Sequence, residues 1–246
     1  MGKIFFTTSW DDGSIYDIKL SKMLLNYNIK GTFYIPLKND QIPKILSREE
    51  IKLISDTFEI GGHTFNHTIL TKVSLERARE EIKSCKNALE DIIGKEIKAF
   101  CFPRGKYTQT LVDITKEYGF IYGRTVMPLR IKKVVDVRRG LMHTSLQVYP
   151  HNHYTYWISI LKGNKEGLYN YFRVVNVVSD WVRLAEMLLE NSSKIGIAFH
   201  LWGHSWEIEK YNLWEILEQF LKYVNKRNNV IFCTNTELWS MLNENK

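Results

Sequence analysis

Short runs rich in β-branched and aromatic residues alternate along this chain with stretches whose apolar residues recur every three to four positions. That alternation constrains the fold most, because βα units in series lay parallel strands side by side and cover them with helices. The first run spans residues 3–8, and over 16–27 Ile18, Leu20, Met23, Leu24 and Leu25 make an apolar helical face. Strands are expected next at 31–35, 58–61 and 97–102, with the clearest helix at 74–93, where Ser74 is a candidate cap. Later strands are expected at 120–123, 134–137, 172–178, 195–199 and 230–233, and helices at 109–118, 180–190, 214–226 and 237–242. The pattern implies an α/β protein, a TIM-like (β/α) barrel, irregular or incomplete, with a doubly wound sheet as the alternative. Residues 130–167, rich in His and Tyr, read as an excursion from that barrel.

A chain of 246 residues with no repeat and no Pro/Gly/Ser linker reads as a single domain over 1–246. Its 44% hydrophobic and 25% charged residues predict a buried core and exclude disorder. The net charge of +7, from 34 basic against 27 acidic residues, is spread out rather than clustered, which argues against a nucleic-acid partner. Three scattered cysteines, Cys85, Cys101 and Cys233, without a CxxC pair, make neither a disulfide framework nor a structural zinc site. Residues 1–8 lack the apolar core of a signal peptide, and no segment approaches the ~18 apolar residues of a transmembrane helix. The expected location is therefore cytoplasmic.

Ligands of α/β folds meet the carboxyl ends of strands. Four polar groups fall at such ends: Asp11-Asp12-Gly13, His63-Thr64-Phe65-Asn66-His67, Pro103-Arg104-Gly105, and His200. Two histidines at i and i+4 share one face of a helical turn, and Asp12 added to His63 and His67 makes two imidazoles and a carboxylate. That set suits a catalytic divalent metal with open positions, zinc first, with cobalt, nickel or manganese as alternatives.

The assembled motifs resemble those of the polysaccharide deacetylase (NodB-homology) family. Ser9-Trp10-Asp11-Asp12-Gly13 is similar to its T-F-D-D-G motif, and His63 to His67 matches its H-[ST]-x-x-H motif. Phe100 to Gly105 resembles the third motif, Ile197-Ala198-Phe199-His200 the last, and Asp180-Trp181 weakly the D-x-x-D-W motif. The resemblance implies a distorted barrel and metal-dependent removal of acetyl from an N-acetylated sugar or glycan precursor, free or carried on a nucleotide or lipid. It implies Asp11 as general base, Asp12, His63 and His67 as metal ligands and His200 as general acid. Pro103, Arg104 and Trp181 would bind substrate, and Asp180 would orient the base. The chain departs from the family at Cys101, where an Arg normally braces the catalytic Asp. A substitute cation at the same mouth is expected, and alternation along 134–139 favours Arg139 over Arg138.

The segment from His200 to Glu207 is dense in polar and aromatic groups, so Trp202 or Trp206 is a candidate to stack on a sugar ring and His204 or Glu207 to bind its hydroxyls. Two other readings stand beside the deacetylase: hydrolysis of another C–N bond, as in allantoinase-like relatives, and a glycan-binding domain without turnover, which the loss of the Arg at position 101 would suggest.

Overall fold

The structure is a computed structural model that describes residues 2–195 and 198–243. Its strands are β1 (Ile4–Asp11), β2 (Thr32–Ile35), β3 (Glu59–Gly62), β4 (Ala99–Cys101), β5 (Tyr122–Arg124), β6 (Val135–Asp136), β7 (Leu141–Met142), β8 (Leu146–Gln147), β9 (Ala198–Gly203) and β10 (Val230–Phe232). The helices are α1 (Asp17–Asn26), α2 (Arg48–Ser55), α3 (Leu75–Ile93), α4 (Gln109–Glu117), α5 (His153–Leu161), α6 (Lys165–Val174), α7 (Trp181–Ile195), α8 (Ser205–Lys210), α9 (Trp214–Asn225) and α10 (Asn235–Asn243).

Strands β1 to β5 lie in sequence order, each parallel to the next and joined to it through one helix. On the other side of β1 stands β9, parallel to it from Phe5↔Ala198 to Trp10↔Gly203, and β8 lies beyond β9. β10 pairs with the first half of β1, and β6–β7 is an antiparallel pair at the far edge. Among the described residues no pairing joins β8 to β6, so hydrogen bonds do not close the ring. The architecture is the expected mixed α/β one, an irregular barrel.

Side-chain alternation divides the molecule into an outer layer and an interior. Phe33, Ile35, Phe100, Phe102, Leu141, Phe199 and Leu201 face the helices, whereas Tyr34, Cys101, Tyr122, Met142 and Ala198, one residue away on the same strands, form a second cluster. Along β1 the outward set is Ile4, Phe6 and Trp10, so Thr7, Ser9 and Asp11 point the other way. The interior is satisfied by hydrogen bonds at its amino-terminal end: Thr7 Oγ1 donates to Asn235 Oδ1 at 2.7 Å, and Asn235 Nδ2 donates to Tyr34 Oη at 2.9 Å. Helix α10 supplies Asn235 and also Trp239, whose ring stacks on Tyr122 at 5.2 Å.

Most expected elements lie within a few residues of their places. Ser74 caps α3 by accepting from the Arg77 amide, and Gly94 ends that helix in the left-handed conformation at φ 68°. The expected strand over 172–178 is instead the end of α6 and a 3₁₀ turn, Val175–Val177. Asn164 caps α6 through the Gly167 amide, and Asn170, Tyr171 and Val174 bury one face of it. Tertiary packing thus overrides the β preference of the valine run. The expected strand over 195–199 starts later: α7 runs to Ile195, residues 196–197 lie outside the described residues, and β9 continues to Gly203. The segment 130–167 carries β6, β7, β8 and α5. Helix α2 is an addition; its capping box, Ser47 with Glu50, is written in the sequence.

Because Trp239 is buried against the interior cluster, Trp239→Ala should destabilise the protein by about 3–5 kcal/mol in urea denaturation. A loss below about 1 kcal/mol would mean that α10 does not support the barrel interior.

Candidate active site

Asp11 ends β1 and Asp12 follows it, His63 and His67 follow β3, Cys101 ends β4, Arg124 ends β5 and His204 follows β9. All therefore gather at the carboxyl ends of parallel strands. Asp12 sits at φ 79°, Thr64 at 61°, His67 at 53° and Arg104 at 55°, so four of the seven left-handed non-glycine residues among those described belong to these loops. L-residues occupy that region at a cost, and such outliers concentrate where a side chain must be aimed.

Asp12 Oδ1 lies 3.6 Å from His63 Nε2 and 3.1 Å from His67 Nε2, and all three residues are buried. That oxygen makes no hydrogen bond, although it is shielded from solvent. Asp12 Oδ2 accepts from Trp206 Nε1 at 2.9 Å. His63 Nδ1 stands 2.8 Å from the Cys101 carbonyl oxygen, which fixes its proton there and leaves the Nε2 lone pair facing Asp12. His67 Nδ1 faces the Gln41 side-chain amide nitrogen at 3.1 Å.

Burial opposes a charge on His63, yet Cys101 and Asp12 outweigh it and raise the ring's pKa well above the ordinary value. Burial likewise would raise the Asp12 pKa, but His63, His67 and His204 hold it well below the usual carboxylate range. An orphaned carboxylate oxygen and two converging imidazole nitrogens in a pocket that draws positive charge fit a divalent cation.

Asp11 is braced by a cation that sequence reasoning missed. Arg124 Nη2 donates to Asp11 Oδ1, both side chains being buried, and the guanidinium lies 4.8 Å from the Trp202 ring and 5.2 Å from the Tyr34 ring. Burial opposes the charge on Arg124, but Asp11 and Cys101 raise its pKa nevertheless. The strand register explains the exchange, since Cys101 on β4 pairs directly with Arg124 on β5. The expected strand over 120–123 stopped one residue short of it. Arg139 is exposed in a 3₁₀ turn, Val137–Arg139, and does not reach Asp11; Arg138 is exposed in the same turn.

His200 and His204 differ sharply. His200 is fully buried, with Nδ1 2.7 Å from the His143 carbonyl oxygen and Nε2 2.8 Å from Ser9 Oγ. Burial and the Arg124 charge pull its pKa down to about 3, so it stays neutral, and it does not line the cavity at the strand ends. That cavity, of about 260 Å³, is lined by Asp11, Asp12, His63, His67 and His204 among others. His204 Nε2 stands 3.8 Å from Asp12 Oδ2, and its Nδ1 lies 2.6 Å from Glu207 Oε2. Burial lowers its pKa, but Glu207 and Asp12 outweigh that and raise it.

A model of the family described as "Polysaccharide deacetylase" matches residues 2–123. The chain belongs to the polysaccharide deacetylase family. Curated relatives include the Bacillus subtilis peptidoglycan-N-acetylmuramic acid deacetylase PdaA, 25% identical over 118 residues, covering 47% of this chain and 42% of that one. The uncharacterized Bacillus subtilis protein YlxY is 28% identical over 109 residues, covering 43% of this chain and 32% of that one. The match thus spans less than half the length of either relative. Likeness of fold extends further: a Mycobacterium smegmatis protein provisionally named a polysaccharide deacetylase superposes at TM-score 0.70 with 15% identity, covering 100% of this chain and 92% of that one. A family 4 acetyl xylan esterase from Clostridium thermocellum, solved with cobalt, gives TM-score 0.58 with 16% identity over 96% and 91% of the two chains.

Set on this deacetylase fold, the other expected site residues divide. Arg104 and Trp202 line the cavity, with Arg104 Nη2 donating to Gln41 Oε1 at 2.9 Å. Pro103 is buried beside it at the start of a 3₁₀ turn and does not line the cavity. Trp181 is instead core, its Nε1 donating to the Gln147 carbonyl and its ring packed edge-on against Phe220. Asp180 is exposed and accepts from the Arg183 amide at the start of α7, away from Asp11. Gln41, Val126, Trp206 and Glu207 complete the lining; Gln41 and Val126 carried no motif signal, whereas Trp206 and Glu207 lay in the aromatic and polar run after His200.

Replacing Arg124 with Met leaves Asp11 buried without its partner and should cost about 3–5 kcal/mol of stability, whereas Arg139→Ala should stay within about 0.5 kcal/mol. Equal effects in chemical denaturation would remove Arg124 from the role. His200 adds a pH signature: its folded pKa of about 3 lies below the ordinary 6.5, so its contribution is present above pH 6.5 and is lost as pH falls below it. In His200→Gln the loss of stability between pH 7 and 5 should shrink by up to about 1.4 kcal/mol per pH unit.

Proposed function

We propose that this protein is a metal-dependent hydrolase that removes acetyl from an N-acetylated sugar of a polysaccharide or glycan precursor. The convergence of Asp12 Oδ1 with Nε2 of His63 and His67 in a cavity that also exposes Asp11 and His204 carries this reading. Relatives named as peptidoglycan deacetylases support the substrate class, and the cobalt solved with the acetyl xylan esterase supports a dication. Zinc suits the ligand set of Asp12, His63 and His67.

When bound, the dication polarises the acyl oxygen and brings the pKa of water toward ~7. Asp11, its aim fixed by Arg124, takes the proton of the attacking water. An amine leaves poorly without a proton, and His204 supplies it. Glu207 holds the ring through Nδ1 and keeps it protonated, which leaves the Nε2 proton for the leaving nitrogen. This moves the acid role from His200, buried behind Ser9, to the histidine four residues on. Trp202, Trp206 and Arg104 wall the cavity where a sugar ring would rest. The binding-only reading rested on Cys101, and Arg124 removes that ground.

Acetate release from N-acetylated chito-oligosaccharides and peptidoglycan, measured on protein stripped of metal and reloaded with zinc or cobalt, tests the reading. Release is expected only from the loaded form, and none from any N-acetylated glycan would overturn it. About one ion per chain should be retained, and His67→Ala should lose the ion together with the activity.

His204→Ala and Asp11→Asn should each lower turnover by about 10²–10⁴-fold while the ion remains. An acid fails once it deprotonates, so the alkaline limb of the pH–rate profile should vanish in His204→Ala and persist in His200→Gln. Loss of that limb in the His200 variant alone would return the acid role to His200.

A further inference from the structure

The hairpin of α5 and α6 exposes more large apolar surface than any other part of the described residues. Tyr154, Trp157 and Leu161 on α5 are 71%, 39% and 82% exposed, and Tyr169 and Phe172 on α6 are 57% and 63% exposed. Spacings of three and four place each set on one helix face. The ring contact between Trp157 and Phe172, 6.3 Å between centroids, joins the two faces into one patch. A contiguous aromatic patch of this kind marks a surface that is covered by something.

Charge identifies what covers it. The hairpin carries Lys162, Lys165 and Arg173, all exposed, and Arg173 lies over the Tyr169 ring at 4.9 Å. Its single acid, Glu166, turns inward and accepts from the amides of Ile131, Lys132 and Lys133. The face is thus Trp, Tyr, Phe and Leu edged by cations, with its carboxylate withdrawn. Tryptophan and tyrosine settle at the headgroup level of a bilayer, and basic residues beside them add attraction to anionic lipid. A second copy of this chain, itself at +7, offers no such complement.

We infer that the α5–α6 hairpin docks this protein on an anionic lipid surface. The same segment also borders a cavity, which adds a functional consequence. Tyr156, Ile158 and Lys162 line a second cavity, of about 360 Å³, which shares Arg104, Val126 and Trp202 with the cavity at Asp12. Tyr156 Oη and Trp202 Nε1 are buried along it without hydrogen-bond partners. An N-acyl sugar carrying an apolar chain would meet a wall suited to that chain on its way to the metal ligands. This extension to an amphiphilic substrate rests on the proposed function; the docking does not.

Co-sedimentation of the full protein with phosphatidylcholine vesicles, and with vesicles of equal phosphatidylcholine and phosphatidylglycerol, tests the docking. Binding to the anionic vesicles only is expected, weakened by salt as the screening length falls from about 8 Å to about 3 Å at 1 M. The triple variant W157S/L161S/F172S should reduce the bound fraction at least about tenfold with unchanged circular dichroism, and K165E/R173E should reduce it as well. None of these residues lines either cavity, so acetate release from a water-soluble substrate should be unaffected in both variants. That separates a failure of docking from a failure of the catalytic reading. Equal binding by wild type and triple variant, no binding at all, or a dimer that the triple variant dissociates in light scattering would each overturn the inference.

Discussion

The buried pair of Asp11 and Arg124 is the constraint around which the mouth of the barrel is organised. Taking two charges out of water costs several kcal/mol each, and attraction repays that only with close geometry and further partners. The chain supplies them from four strands. Cys101 Sγ on β4 approaches Asp11 Oδ2 at 3.7 Å, Ser9 Oγ on β1 accepts from Arg124 at 3.3 Å, and Tyr34 on β2 and Trp202 on β9 offer ring faces to the guanidinium. His200 must stay neutral because a second cation beside Arg124 would be unpaired, which is why burial and that charge together depress it. His200, the third residue of β9, ties Ser9 to the His143 carbonyl oxygen and closes the interior.

This arrangement frees His204 for a different part. The neighbouring histidines respond to opposite fields, one facing a guanidinium across Ser9, the other held between Glu207 and Asp12. Alternation along β9 turns His200 and Trp202 inward, and the strand must end at Gly203 before the next side chain can reach over the cavity. Two titratable groups four residues apart thus acquire pKa values displaced in opposite directions.

Much of this was legible in the sequence. The order of βα units and the Asp12, His63 and His67 cluster depend on local pattern and on motifs that bring their own geometry, so the strand ends, the clustering of those three side chains and the helix capped at Ser74 were all foreseeable. What depended on register was not. Arg124 braces Asp11 only because β4 and β5 pair Cys101 with it, a fact set by the alignment of two three-residue strands. The choice of Arg139 assumed that β6 ran on to bring it to the mouth, whereas β6 ends at Asp136, whose side chain accepts from the Arg139 amide and starts a 3₁₀ turn. The valines after Phe172 misled for the complementary reason: their intrinsic preference is for strand, and the helix there is imposed by caps and by packing against the barrel.

The same contrast explains why the excursion over 130–167 resisted reading. A barrel strand announces itself through alternation because it has one face toward helices and one toward the interior. The α5–α6 hairpin has no such division, since it buries Tyr156, Asn170, Tyr171 and Val174 on one side and leaves aromatic rings exposed on the other. An amphipathic rule expects polar residues on that outer side, and a helix apolar on both sides satisfies the rule only if its second face also has somewhere to go. The illegibility of the hairpin and its exposed rings are therefore one observation. Docking on lipid, as inferred for this face, would give its exposed rings somewhere to go.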